Sequence, residues 1–203
     1  MTGAVMSHGT WKTNGAMIRD VARLGFLEGS VLDLTYGEGL FWTDFQPDPD
    51  LFVACDGNPK KVPELGYCKD FTATGFQDGC ADTVVFDPPY KLNGTPDERL
   101  DGRYGVDVPA TIAERHDLMV RGLIEAKRLT REFVLVKCQD QVASGRVWWQ
   151  TDLMTRTAEA APFACRKVDV FHMPSYRAQP AGRRQVHARH NYSTLLVFRR
   201  EAD

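Results

Sequence analysis

Short apolar runs, separated by amphipathic or polar stretches, constrain this chain more than any other feature it has. Val31–Leu34, Leu51–Cys55, Thr83–Phe86 and Phe133–Val136 are long enough for buried strands and too short for helices. The first holds Asp33, the second runs into Asp56 and the third ends at Asp87. A further short strand is expected near Tyr67–Cys68. Between and around these runs lie helical patterns. Thr13 to Glu28 places Met17, Ile18, Val21, Ala22 and Leu24 on one face. Pro109 is expected to open a second helix in its first turn, running through Ile112, Leu118 and Leu123 to about Leu129. Val142 to Glu159 reads as a third. The alternation predicts an α/β fold with a mostly parallel sheet. Near the C-terminus the rhythm changes. Val168–His172 and Ser193–Phe198 read as two strands with no helix between them, an antiparallel hairpin that closes the sheet.

Composition narrows the class. A chain of 203 residues with 43% hydrophobic and 26% charged residues can build a core, and one domain over 1–203 is expected. The net charge of −2 excludes a general polycation, so any contact with nucleic acid needs a local patch. Five cysteines without a Cys-x-x-Cys pair argue against a disulfide framework or a zinc ribbon. No metal site is expected. With no secretory pattern and no long apolar stretch, we expect a cytoplasmic protein without a membrane partner.

Two constellations carry chemistry. Asp33-Leu-Thr35-Tyr-Gly37-Glu-Gly39 follows the first strand, where a nucleotide-binding turn belongs. Asp56, at the end of the second strand, is placed to accept from ribose hydroxyls. The third glycine of the dinucleotide fingerprint is replaced by Trp42, which suits an adenosine ligand without a pyrophosphate. An ordinary left-handed turn after a strand is the other reading. Asp87-Pro88-Pro89-Tyr90 is sharper. Two prolines fix the backbone and donate nothing, which leaves the Asp87 carboxylate and the Pro88 carbonyl as acceptors beside an aromatic ring. That suits a flat group bearing an NH2. Acceptors on its N–H bonds favour the pyramidal, more nucleophilic amine as a new bond forms.

Together these motifs resemble the S-adenosylmethionine-dependent amino methyltransferases of DNA, over about Lys12 to Arg199. The resemblance implies a Rossmann-like class I methyltransferase fold with a seven-stranded sheet and an antiparallel last strand. It implies transfer of a methyl group from S-adenosylmethionine to adenine N6 on a base flipped out of the stack. Aspartate in the Asp-Pro-Pro-Tyr turn favours adenine over cytosine N4. An RNA amino methyltransferase with the same pocket is the first alternative. A silent nucleic-acid-binding module is the second, and a nicotinamide oxidoreductase is disfavoured by the missing glycine. By the same resemblance Asp33, Thr35, Gly37 and Gly39 form the methionine-binding turn, and Lys12, in Lys12–Thr13–Asn14, helps hold that end. Asp56 takes the ribose. Asp70 accepts from the cofactor adenine or is a turn residue, and Phe71 stacks on that ring.

No separate recognition domain is visible. Loop 91–108 and hairpin 166–200 are the expected contacts to DNA, or alternatively RNA, and a homodimer is possible. Between Arg166 and Arg200 eight Lys and Arg residues face Asp169 alone, interleaved with histidines and tyrosines. Arg177, Arg183, Arg184, Arg189 and His190 are therefore expected to bind phosphates and bases, the alternative being a solvated hairpin. Lys137–Cys138–Gln139–Asp140–Gln141 follows the fifth strand and either contacts the target or is a polar loop feeding the next helix. Trp148 and Trp149 are expected to pack that helix onto the sheet.

Overall fold

A computed structural model of the chain describes residues 4–64, 66–92, 109, 111–175 and 185–202. Helix α1 (Asn14–Arg23) starts where the Thr13 side chain accepts from the Ala16 N–H, and it is shorter than the sequence pattern suggested. Its last turn tightens as Leu24 and Gly25 donate to Val21 and Ala22, and Gly25 takes φ +86°. Strands β1 (Val31–Asp33), β2 (Phe52–Asp56), β3 (Tyr67–Cys68) and β4 (Ala81–Phe86) follow. Helix α2 (Ile112–Leu129) opens on Thr111, not at Pro109. Thr111 and Glu114 form a reciprocal capping box, which satisfies two amides that a proline start would leave open.

Strand β5 (Thr130–Cys138) is longer than its apolar centre, because pairing with β9 carries it on to Lys137 and Cys138. The helix expected over 142–159 is half wrong. Residues 141–148 form a hairpin of β6 (Gln141–Ala143) and β7 (Arg146–Trp148), and only α3 (Gln150–Glu159) is helical. Ser144 and Gly145 both take positive φ, 51° and 77°, the two-residue turn that matches strand twist. Strands β8 (Cys165–Pro174) and β9 (Tyr192–Arg200) pair antiparallel as expected.

The main sheet has the order β3-β2-β1-β4-β5-β9-β8. β1 to β5 run parallel and β9 runs against both its neighbours. Apolar residues cover both faces. Met17, Ile18 and Val21 of α1 pack with Val85, Leu135 and Val197, while Leu118, Met119 and Leu123 of α2 and Met154 of α3 pack with Val84, Phe86 and Val136. Order reverses next to β1, where chains leave to opposite sides and open a crevice at the strands' carboxyl ends. Among the described residues no helix is long and apolar enough to cross a membrane.

Candidate functional site

The two sequence motifs meet at that crevice. The Asp87 amide donates to Thr35 Oγ1 at 2.7 Å, so the end of β4 is tied to the turn after β1 across 52 residues. The turn is stitched on both sides, Leu34 N–H to the Val85 carbonyl and Tyr36 N–H to the Cys55 carbonyl. A cleft opens here, lined by residues that include Asn14, Asp33, Thr35, Gly37, Phe41 and Asp87. Lys61 and Glu38, paired to each other, also line it.

Gly39 takes φ +67°, and a Cβ there would meet the Tyr36 hydroxyl at 2.7 Å, so glycine is required. Trp42, where a third glycine would stand in a dinucleotide turn, is buried and donates its indole N–H to Asp33 Oδ2 at 2.7 Å. Asp33 Oδ1 accepts from the Thr35 amide at 2.9 Å. Burial outweighs both bonds and pushes the Asp33 carboxyl up to about 7. A carboxyl raised in the folded state favours folding while protonated. Its contribution is full below the ordinary carboxylate range and is lost as pH rises through about 7. We expect Asp33→Asn to remove that part of the pH dependence of stability. The check is denaturant unfolding of both proteins at pH 5 and pH 8. Asp82, held well below the carboxylate range chiefly by Arg131, is ionised folded or unfolded at both pH values and adds no slope between them.

Asp56 is 1% exposed. Its Oδ2 accepts from Gly37 N–H at 2.8 Å and its Oδ1 from Asn58 N–H at 2.7 Å. It braces the glycine turn, and only the remaining lone pairs are left for a ribose. Removing a buried charged acceptor leaves two amides unpaired. Asp56→Ala should weaken S-adenosylmethionine binding at least tenfold in calorimetry and also lower Tm, because the turn itself loses its clamp.

At the Asp-Pro-Pro-Tyr turn, Asp87 Oδ1 is buried and has no hydrogen-bond partner among the described residues. Its other oxygen lies 3.9 Å from Lys137 Nζ, which donates to Asn14 Oδ1 at 2.9 Å and is 5.4 Å from the Phe41 ring centre. Burial raises the Asp87 carboxyl, and the Lys137 charge pulls it back. Pro88 and Pro89 are buried. The Pro88 carbonyl, expected to be open, already accepts from Tyr90 N–H at 2.8 Å, which leaves it one lone pair. The Tyr90 carbonyl accepts from the side-chain amides of Gln141 at 2.7 Å and Gln150 at 2.9 Å. These bonds hold the half-buried tyrosine in place.

The polar run Lys137 to Gln141, at the end of β5, is packed inside and feeds the hairpin before the next helix. Each of its residues is buried. Lys137 reaches Asp87 and Asn14, Gln139 donates to the His190 carbonyl, and Asp140 accepts from Thr151 N–H at the start of α3. The run was visible in the sequence as polar residues after an apolar strand, but nothing there named its partners. Gln150 carried no signal in the sequence, whereas Asn14, Lys137 and Gln141 lay in segments already marked there, without their partners.

Several expected roles are corrected. Phe71 is 1% exposed, with its ring 5.3 Å from Phe86, so both belong to the core and Phe71 offers no face to a cofactor. Asp70 Oδ1 accepts from the amide and hydroxyl of Thr72, which is turn geometry, and its side chain is exposed. Lys12 is exposed, and Asn14 of the same segment is the residue that lines the cleft. Trp149 is 55% exposed and does not pack α3 onto the sheet. Arg189 is exposed and His190 half-buried. Arg177, Arg183 and Arg184 lie outside the described residues, as does most of loop 91–108. Part of the hairpin's charge lies at the far edge: Arg200 pairs opposite Cys165, and Arg199 is held by Glu132.

No protein-family model and no curated protein matches the chain. Solved structures do. The N-methyltransferase NodS from Bradyrhizobium japonicum superposes with a TM-score of 0.54 at 11% identity, covering 92% of this chain and 96% of that one. Magnesium protoporphyrin IX methyltransferase from Synechocystis, solved with bound S-adenosylmethionine, gives 0.51 at 13%, covering 93% and 78%. A Pyrococcus horikoshii protein, PH0226, gives 0.52 at 14%, covering 92% and 90%. The mostly parallel seven-stranded sheet with its antiparallel C-terminal pair is thus the class I methyltransferase fold.

Proposed function

We propose that this protein transfers a methyl group from S-adenosylmethionine to the exocyclic N6 of adenine in DNA. The observation that carries this reading is Asp87 Oδ1, a buried acceptor without a partner among the described residues, beside the cleft and joined to the glycine turn through Thr35. A buried polar atom left open costs stability, and such atoms mark sites that a ligand completes. The residues fit the cofactor. Gly37 and Gly39 give a cradle without side chains, Asp33 and Asn14 present polar groups to a methionine end, and Asp56 has lone pairs left for a ribose. Bound there, S-adenosylmethionine supplies an electrophilic methyl group.

The chain's own groups act on the amine. Asp87 Oδ1 and the remaining lone pair of Pro88 accept its two N–H bonds, which favours the pyramidal nitrogen as the bond to carbon forms. Tyr90, held by Gln141 and Gln150, offers its ring to the base. Lys137 Nζ lies 3.9 Å from the second Asp87 oxygen, an ion-pair distance that favours the charged carboxylate. The deciding experiment is mass spectrometry of nucleosides from DNA and RNA of cells expressing the protein or its Asp87→Ala variant. N6-methyladenine in DNA, present only with the intact protein, is the expected result. Methylation confined to RNA, or N4-methylcytosine in its place, overturns the substrate assignment.

A further inference from the structure

Five rings form a continuous row on the carboxyl edge of the sheet, the edge that carries Asp87. Trp149 meets His190 at 5.2 Å between ring centres, and His190 meets Tyr192 at 6.0 Å. Tyr192 meets His172 at 5.1 Å, and His172 stacks on His8 at 4.4 Å. The row is built in, not draped. His8 is held by a bridge to β8, with His172 N–H donating to the Ser7 carbonyl at 2.7 Å. His190 is held by Gln139 and by a contact of its Nδ1 with the Tyr192 hydroxyl.

Packing alone does not account for the row. Its first member, Trp149, caps α3 without a side-chain hydrogen bond and is 55% exposed, an unfavourable place for the largest apolar side chain. Its neighbour Trp148 takes the inward contacts, against His116 and under the Arg146 guanidinium. The row begins beside the acceptor site, because the residue after Trp149 is Gln150, which holds the Tyr90 carbonyl. Cations flank it: Arg189 is exposed next to His190, and Arg146 lies next to the tryptophan pair.

We propose that this row is a stacking platform for unpaired bases of single-stranded DNA on one side of the target adenine. The proposal rests on the methyltransferase reading for the identity of the polymer. Bases inside a duplex stack on one another and present no face to a protein ring. A row that opens on an exposed tryptophan and is flanked by arginines therefore suits a single strand, with stacking tolerant of sequence and the arginines on phosphates.

The test is fluorescence anisotropy with a labelled single-stranded 15-mer of mixed sequence, its duplex, and the matching RNA, all without cofactor. Calorimetry with S-adenosylmethionine is run in parallel. The intact protein should bind the DNA strand more tightly than the duplex. Trp149→Ala should weaken strand binding at least tenfold, and Trp149→Phe should restore most of it. Neither should change cofactor affinity. The slope of log affinity against log salt should stay the same in Trp149→Ala, because no phosphate contact is lost. It should become shallower by about 0.7 in Arg189→Ala. Unchanged strand binding in Trp149→Ala, or a preference for the duplex or for RNA, overturns the proposal. Those results leave methyl transfer untouched. Platform-dependent strand binding without nucleoside methylation would instead remove the enzymatic reading and keep the platform.

Discussion

Asp87→Ala is expected to lower the rate of methyl transfer by at least about a hundredfold while leaving cofactor affinity within about twofold. Removing one preorganised group that acts on developing charge typically costs about 10²–10³ in kcat. In the proposed mechanism the carboxylate contacts the amine and its help grows as the nitrogen pyramidalises, so the loss falls on kcat. Asp87→Asn is the finer variant, and the surroundings decide its outcome. Lys137 Nζ lies 3.9 Å from Oδ2, so an amide there turns its oxygen toward the ammonium. The NH2 then replaces the open Oδ1 and points a donor at a donor. Asn should be nearly as inactive as Ala. Asp87→Asn combined with Lys137→Met frees the amide to turn over and should recover part of the activity. Single-turnover rates with an identified substrate, with calorimetry for the cofactor, check this. An Asp87→Ala enzyme of full activity would sink the assignment, and a double variant no better than Asp87→Asn would remove the role given to Lys137.

Phe71→Ala should act on the fold. The ring is fully buried with Phe86, and Gly122 of α2 approaches closely enough that a Cβ there would lie 2.8 Å from it. Truncating such a side chain loses its transfer free energy and leaves a cavity, together about 3–5 kcal/mol. For a chain of this size each kcal/mol corresponds to about 2–4 °C in Tm, so a loss of roughly 10 °C is expected. Phe71→Leu keeps most of the volume and should cost far less. If Phe71 stacked on the cofactor, the Leu variant would lose cofactor affinity and the protein would melt normally. Thermal melts and calorimetry on both variants separate the two roles. Affinity per folded molecule should be retained in both.

The positions of β1, β2, β4 and β5 were legible in the sequence, because a buried strand needs only a short apolar run and its ends are marked locally. The Asp33-to-Gly39 turn and the Asp-Pro-Pro-Tyr turn were legible for the same reason: glycine and proline act on their own backbone. The hairpin over 141–148 was not, since Val142, Val147 and Trp148 fit neither a helical stripe nor a strict alternation. The turn at Ser144–Gly145 decided between them.

Side-chain direction was least legible. Phe71 and Asp70 are neighbours in sequence, yet one fills the core and the other caps a turn, because α2 packs over one side only. Asp56 turns its oxygens under the glycine turn because two amides there need an acceptor. Lys137 faces Asp87 and Asn14 only because β4, β5 and α1 converge at that edge, and the two ends of the Lys137–Asn14 bond are 123 residues apart. The sequence by itself determined the strands of the main sheet and the two turns that meet at the cleft, since those follow from local backbone preference and apolar pattern. The order of the sheet, the single open oxygen of Asp87 and the ring row from Trp149 to His8 were decided by tertiary packing, because each depends on contacts between segments that no local rule brings together.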